Sequence, residues 1–190
     1  MITENYYGIY ENFVPYHVCD DIVKRALFDK EEEGVIQEGI NKQVRNSRVV
    51  WLNDFWIYDW ITPIVHQCNK ELGWYFTIKD PEKIQFTIYR ENQFYGWHRD
   101  TFLEKDLNDQ RKISVVIPLS NSDDYEGGNL EFYNSLASPT SKQEKIIFDE
   151  KTRTKGNIII FPSYVYHQVT KVLKGKRMSL VIWYKGESWK

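Results

Sequence analysis

Several things are scarce in this 190-residue chain, and each scarcity excludes a class of protein. Cysteine is nearly absent: Cys19 and Cys68 stand 49 positions apart in no metal-type spacing, so a disulfide framework or thiolate metal site is excluded, and both thiols are expected reduced. No apolar run exceeds a few residues (Ile158 to Phe161 is typical), far short of a membrane span. The opening MITENYYGIY has neither a basic nor an apolar leader segment, so the expectation is a soluble, cytoplasmic protein. Charge of one sign is also lacking. Twenty-five Lys and Arg against twenty-seven Asp and Glu leave a net charge of −2, which disfavours a nucleic-acid or acidic-membrane partner. Aromatic residues, in contrast, are abundant at 16%, enough mass to bury and too much for a disordered chain.

The chain reads as a single domain over residues 1–190, without a Pro-, Gly- or Ser-rich linker or an internal repeat. Its first third is helical in character. Val18, Ile22, Val23, Ala26 and Leu27 recur at helical spacing, and a second helix is expected within Asp54 to Leu72, kinked or split at Pro63. Helical support is therefore placed at about 12–74. From about Lys83 to residue 185 the pattern is β. Segments 83–90, 112–120, 129–133, 144–148, 157–161 and 177–184 are rich in β-branched and aromatic residues, and clusters such as Asn121–Asp124, Gly127-Gly128, Ser135–Ser141 and Lys174–Lys176 separate them. Helices followed by short strands give a mostly β, α+β fold, a sandwich or barrel backed by helices. Pro118 inside an apparent strand is expected on an edge, or with its nitrogen turned out of the ladder.

Alternation makes the last strand informative. Met178, Leu180, Ile182 and Tyr184 form an apolar face suited to packing under the helices, while Arg177, Ser179, Val181 and Trp183 face the other way, as the wall of a pocket would.

The chain has only four histidines. His17 and His66 lie in the helices without partners at ligand spacing and read as surface residues. His98 stands two residues before Asp100, and in extended chain the two side chains share a face. Such a pair arises by composition alone in about one chain in four. His167, after the strand Ile158 to Phe161, supplies a third ligand. Two imidazoles and a carboxylate, with no thiolate, fit the facial set of a non-haem Fe(II) centre; catalytic zinc uses a similar set, but no HExxH helix is present, and iron is favoured. Arg177 follows ten residues later as a permanent cation able to grip a carboxylate, with Ser179 on its face and Tyr89 on an earlier strand.

Taken together, Tyr89-x8-His98-x-Asp100, Gly127-Gly128-Asn129-Leu130-Glu131-Phe132 and Phe161-Pro162-x4-His167-x9-Arg177-x-Ser179 resemble the 2-oxoglutarate- and Fe(II)-dependent dioxygenases, in particular the prolyl 4-hydroxylase-like branch with its small bacterial and phage-type hydroxylases. The resemblance covers about residues 83–185. It implies a double-stranded β-helix, a distorted jelly roll backed by helices. It further implies that His98, Asp100 and His167 hold Fe(II), that Arg177 and Tyr89 bind the C5 carboxylate of 2-oxoglutarate, and that Ser179 assists. O2 is then the oxidant, succinate and CO2 are released, and ascorbate is an optional accessory. Gly127-Gly128 matches a structural turn of the family.

The expected substrate is a prolyl or similar residue of a protein or peptide, with a free amino acid or small metabolite as the alternative. A non-catalytic metal-binding β-sandwich module is the reading from a different class. Trp97, Phe161 and Trp183 are expected as apolar walls near the metal. Gly34 to Arg48 is polar and long enough to be a mobile lid, and Thr101 to Arg111 is a second candidate rim. Arg45 and Arg48 read as a solvated basic turn in preference to a site for an acidic substrate.

Overall fold

The computed structural model describes residues 6–36, 39–101, 109–134, 139 and 146–188. Two antiparallel sheets face one another. The strands, in chain order, are β1 (Gly8–Tyr10), β2 (Glu32–Glu33), β3 (Arg45–Asn46), β4 (Arg48–Leu52), β5 (Ile84–Arg90), β6 (Phe94–His98), β7 (Gln110–Pro118), β8 (Tyr125–Gly127), β9 (Leu130–Tyr133), β10 (Ile146–Phe148), β11 (Ile158–Pro162), β12 (His167–Val169) and β13 (Val172–Gly186). The major sheet runs β1-β11-β7-β13-β5-β4-β2, with β8 pairing the first part of β13; the minor sheet runs β10-β9-β12-β6-β3. This is the jelly-roll arrangement expected from the sequence.

Helices α1 (Tyr16–Ala26) and α2 (Trp56–Glu71) back the major sheet. Cys19, Ile22 and Ala26 of α1 and Ile57, Ile61, Val65 and Cys68 of α2 are buried in one cluster with Phe86, Leu180, Ile182 and Tyr184. At roughly 1.5–3 kcal/mol per large apolar side chain removed from water, this layer is the main source of stability. Both cysteines are free and buried, and burial pushes each thiol up to about 11. A smaller cluster, including Leu130, Phe132, Phe161 and Val169, fills the space between the sheets.

The structure departs from the sequence expectations in four places. Helix α2 passes through Pro63 unbroken. Pro63 and Asp59 are both on the exposed face, so the carbonyl that loses its helical donor faces water. Pro118 is on the central strand β7, so the edge alternative fails, but it is the strand's last residue, where a missing N–H interrupts no further ladder, in keeping with the other alternative. The first third is not only helical: β4 and β2 extend the major sheet and β3 closes one side of the minor sheet. Finally, β13 begins at Val172, well before the 177–184 segment, because its first residues pair with β8. Much of the Ser135–Ser141 turn and the start of the 144–148 segment lie outside the described residues.

The Gly127-Gly128 turn is structural, as expected. Gly127 has φ +69°, and a Cβ there would lie 2.2 Å from the Lys171 carbonyl oxygen. Arg153 fixes this turn from below, donating to the carbonyls of Gly127, Ser122 and Tyr125 and to Asn129 Oδ1 at 2.6–2.9 Å.

Candidate active site

A pocket opens between the sheets, and β13 forms its floor. Arg177, Ser179, Val181 and Trp183 line it, while Met178, Leu180, Ile182 and Tyr184 pack on the helix side, so the alternation read from the sequence holds. His98, Asp100 and His167 converge in the same pocket, with one ligand atom from each lying within 4.8 Å of the others. His98 is the last residue of β6, His167 the first of β12, and the two are directly paired across the ladder.

Each imidazole is oriented by its own backbone. His98 Nδ1 lies 2.8 Å from the Gly96 carbonyl oxygen and His167 Nδ1 lies 3.0 Å from that of Val165. Donation through Nδ1 leaves both Nε2 lone pairs free, and they point at Asp100, at 3.6 Å from Oδ1 and 3.5 Å from Oδ2. Asp100 is held in turn by Ser114 Oγ, which donates to Oδ2 at 2.7 Å and lies 2.9 Å from Ser163 Oγ. Two imidazoles and one carboxylate on a common centre fit a divalent metal with open positions. Burial alone would raise the Asp100 carboxyl, but the neighbouring His167 and His98 outweigh it and hold it below the usual carboxylate range. Burial, reinforced by His98, lowers His167 to about 4 despite the attraction of Asp100, so its nitrogen is unprotonated at neutral pH.

Away from the triad, Arg177 is 2% exposed and donates through Nη1 to Ser179 Oγ at 3.0 Å. Its Nη2 is buried without a protein partner. An unpartnered guanidinium nitrogen inside a pocket is costly unless a ligand accepts from it, and a carboxylate is its natural complement. Tyr89, buried at 3% exposure, sits beneath Arg177, whose guanidinium carbon is 5.6 Å from the ring centre. Burial raises the phenol more than Arg45 and Arg177 lower it, so Tyr89 remains a donor at neutral pH.

Sequence reasoning missed Tyr95 and Gln85 and misread Arg45, Trp97, Phe161 and, in part, Trp183. Tyr95, Gln85 and Arg45 line the pocket. Tyr95 was hidden by a β-bulge: Tyr95 and His98 are three apart in β6, yet their partners Val169 and His167 are two apart in β12. The extra residue brings both rings to the pocket, stacked 3.5 Å apart at 10°. Trp183 is a pocket wall as expected, but not simply an apolar one, because its Nε1 is a second buried donor without a protein partner. Phe161 stands behind His167, edge-on at 4.7 Å, and Trp97 packs against Tyr133 at 5.7 Å; neither lines the pocket.

Arg45 is no solvated turn. It is 6% exposed on β3. Arg48, by contrast, is partly exposed beside Glu31 and Glu33 at 3.7 and 3.5 Å. The end of the proposed Gly34–Arg48 lid is thus tied into both sheets, while residues 37–38 lie outside the described residues. So do residues 102–108 of the second candidate rim. His17 and His66 are exposed.

A jelly roll whose facing strands gather two histidines, one aspartate and a buried arginine around one pocket defines the class of mononuclear non-haem metal oxygenases. Comparison with known proteins makes this specific. Residues 84–185 match the model of the 2OG-Fe(II) oxygenase superfamily, and the chain belongs to that family. A PKHD-type hydroxylase of Teredinibacter turnerae is 32% identical over 109 residues, covering 54% of this chain and 44% of that protein, so the chain matches less than half of that relative's length. Among solved structures, a viral collagen prolyl hydroxylase from Paramecium bursaria Chlorella virus-1 superposes with a TM-score of 0.70 at 19% identity, over 98% of this chain and 99% of the other. A prolyl hydroxylase from Trichoplax adhaerens, solved with a hypoxia inducible factor peptide fragment, gives 0.74 at 18% identity, over 96% and 84%. These structures share the double-stranded β-helix. No helix among the described residues is long and apolar enough to cross a membrane.

Proposed function

We propose that the chain, acting as one domain, hydroxylates a C–H bond of a prolyl or similar residue in a protein or peptide, consuming 2-oxoglutarate and O2 and releasing succinate and CO2. His98, Asp100 and His167 hold Fe(II) through Nε2, a carboxylate oxygen and Nε2. Arg177 Nη2 and the Tyr89 hydroxyl donate to the C5 carboxylate of 2-oxoglutarate. Ser179 accepts from Arg177 Nη1 and so fixes the fork, with its own proton left to donate. Bound iron supplies the redox chemistry that couples decarboxylation of the co-substrate to oxidation of the substrate.

The protein's part is positional. The backbone carbonyls of Gly96 and Val165 keep the imidazoles turned inward, Ser114 keeps Asp100 in place, and Val116, Leu130, Val169 and Val181 exclude water. The observation that carries the reading is the buried, unpartnered Arg177 Nη2 in the pocket that also gathers the three metal-type ligands. The prolyl preference is supported by the hydroxylase relatives and the prolyl hydroxylase folds.

Anaerobic Fe(II) with 2-oxoglutarate should produce a weak visible charge-transfer band in the wild type, and His167→Ala should lose it. Absence of the band in the wild type, or its survival in the variant, sinks the assignment. Arg177→Ala should weaken 2-oxoglutarate far more than iron; equal loss of both would make Arg177 structural. Succinate release, assayed with ascorbate present against proline-containing peptides and free amino acids, identifies the substrate.

A further inference from the structure

We infer that Ser163 is a positioning residue for the metal centre: its hydroxyl donates to Ser114 Oγ and so commits the Ser114 proton to Asp100 Oδ2. This rests on the reading of His98, Asp100 and His167 as metal ligands. It extends that reading outward, to a side chain that acts on a ligand only through another.

The direction of the chain follows from counting protons. A hydroxyl has a single proton to give, and an ionised carboxylate can only accept. The Ser114 proton therefore goes to Asp100 Oδ2, at 2.7 Å. The contact between Ser114 Oγ and Ser163 Oγ, at 2.9 Å, then has to run the other way, with Ser163 as donor and Ser114 as acceptor. Both serines are fully buried, so bulk water does not reach either hydroxyl. A hydroxyl that accepts a hydrogen bond is polarised into a better donor, which strengthens the bond to Asp100.

Ser163 is itself held by its main chain. Its N–H donates to the Lys112 carbonyl at 2.9 Å, and its own carbonyl accepts from the N–H of Asp100 at 2.9 Å and of Thr101 at 3.2 Å. Asp100 is thus gripped at both ends by one residue, its backbone directly and its carboxylate by way of Ser114. Ser114 pairs with Phe161 of β11 and Trp183 of β13, so its backbone is locked in the sheet and only its hydroxyl can turn.

The same turn serves a second ligand. It is closed by the Val165 N–H donating to the Pro162 carbonyl at 2.9 Å, and Pro162 has a fixed φ. The Val165 carbonyl accepts from His167 Nδ1 at 3.0 Å. Residues 162–165 therefore set Asp100 and His167 relative to each other, whereas His98 is set separately, by the Gly96 carbonyl.

The test is metal binding without turnover. Metal-free protein, without 2-oxoglutarate, is titrated with Mn(II), and the unbound ion is read by electron paramagnetic resonance. Ser163→Ala should weaken binding about threefold, less than the loss of about tenfold expected of Ser114→Ala. Because the effect passes through Ser114, the double variant Ser114→Ala/Ser163→Ala should bind as well as Ser114→Ala alone. Ser163→Thr and Ser163→Val differ by a hydroxyl but share a shape, so any packing cost is common to both. The threonine variant should bind about threefold tighter. The inference is overturned by wild-type affinity in Ser163→Ala, by losses that multiply in the double variant, or by equal affinities of the threonine and valine variants. Failure of the metal-ligand reading shows differently, as Mn(II) binding by the wild type that His167→Ala leaves untouched.

Discussion

The two faces of β13 are made from one strand and do opposite work. On one face Leu180, Ile182 and Tyr184 are fully enclosed by the helices and the neighbouring strands, and the Tyr184 hydroxyl meets Thr62 Oγ1 at 3.0 Å. On the other, Arg177 and Trp183 are buried just as deeply but keep polar atoms without a protein partner. Burial alone therefore does not distinguish core from site. Satisfaction does: on the helix side of β13 the Tyr184 hydroxyl has its partner, whereas Arg177 Nη2 and Trp183 Nε1 on the pocket side have none among the described residues. Stability and chemistry are separable to the extent that this division holds.

Substitutions can break or sharpen that division. The largest effect should come from His167→Ala, which is expected to lower iron-dependent turnover by at least about a hundredfold while leaving the thermal midpoint of the metal-free protein nearly unchanged. A collapse in stability would show that the triad also holds the sheets together. The mirror experiment is Phe86→Ala, on the helix side of β5, expected to cost about 3–5 kcal/mol of unfolding free energy in a denaturant titration with the KM for 2-oxoglutarate preserved.

Acid should act on the pocket side. His167 is held to about 4 when folded, below the ordinary imidazole value of 6.5, so the unfolded chain takes up the proton first as pH falls. Stability of the metal-free protein should be level above about pH 6.5 and decline between 6.5 and 4, by about 3 kcal/mol, and His167→Ala should remove that slope. The smallest effect belongs to Ser114→Ala. It deletes the donor to Asp100 Oδ2 and should weaken metal binding by about tenfold, read by titration, without changing the fold.

Features set by local alternation or short spacing were legible in the sequence. The two faces of β13, the convergence of His98 with Asp100, and the apolar stripes of α1 and α2 all follow from periods of two or 3.6 residues. What was not legible depends on partners distant in the chain. The five residues of β4 carry a local β signal in Val49, Val50 and Trp51, but their place in the sheet is set by the edge that β5 offers at Ile84–Ile88. Arg45 looked like a solvated charge because its environment is assembled from Gly34, Ser47 and Tyr95, no pair of which marks burial by itself. Tyr95 was invisible for a different reason: the bulge in β6 breaks the alternation on which such readings rest.

That bulge has a consequence for how much length change the site tolerates. Strand β6 holds one residue more than β12 between the pairs Tyr95–Val169 and His98–His167. Removing Gly96 would leave the aromatic ring and the imidazole two apart, the spacing at which a regular strand presents both to the same side. Strand β6 can therefore be shortened by one position without turning either ring out of the cavity. What the surplus residue contributes is aim: its carbonyl is the acceptor that steers the His98 ring, and a chain lacking it would keep the ligand and lose the set of its angle.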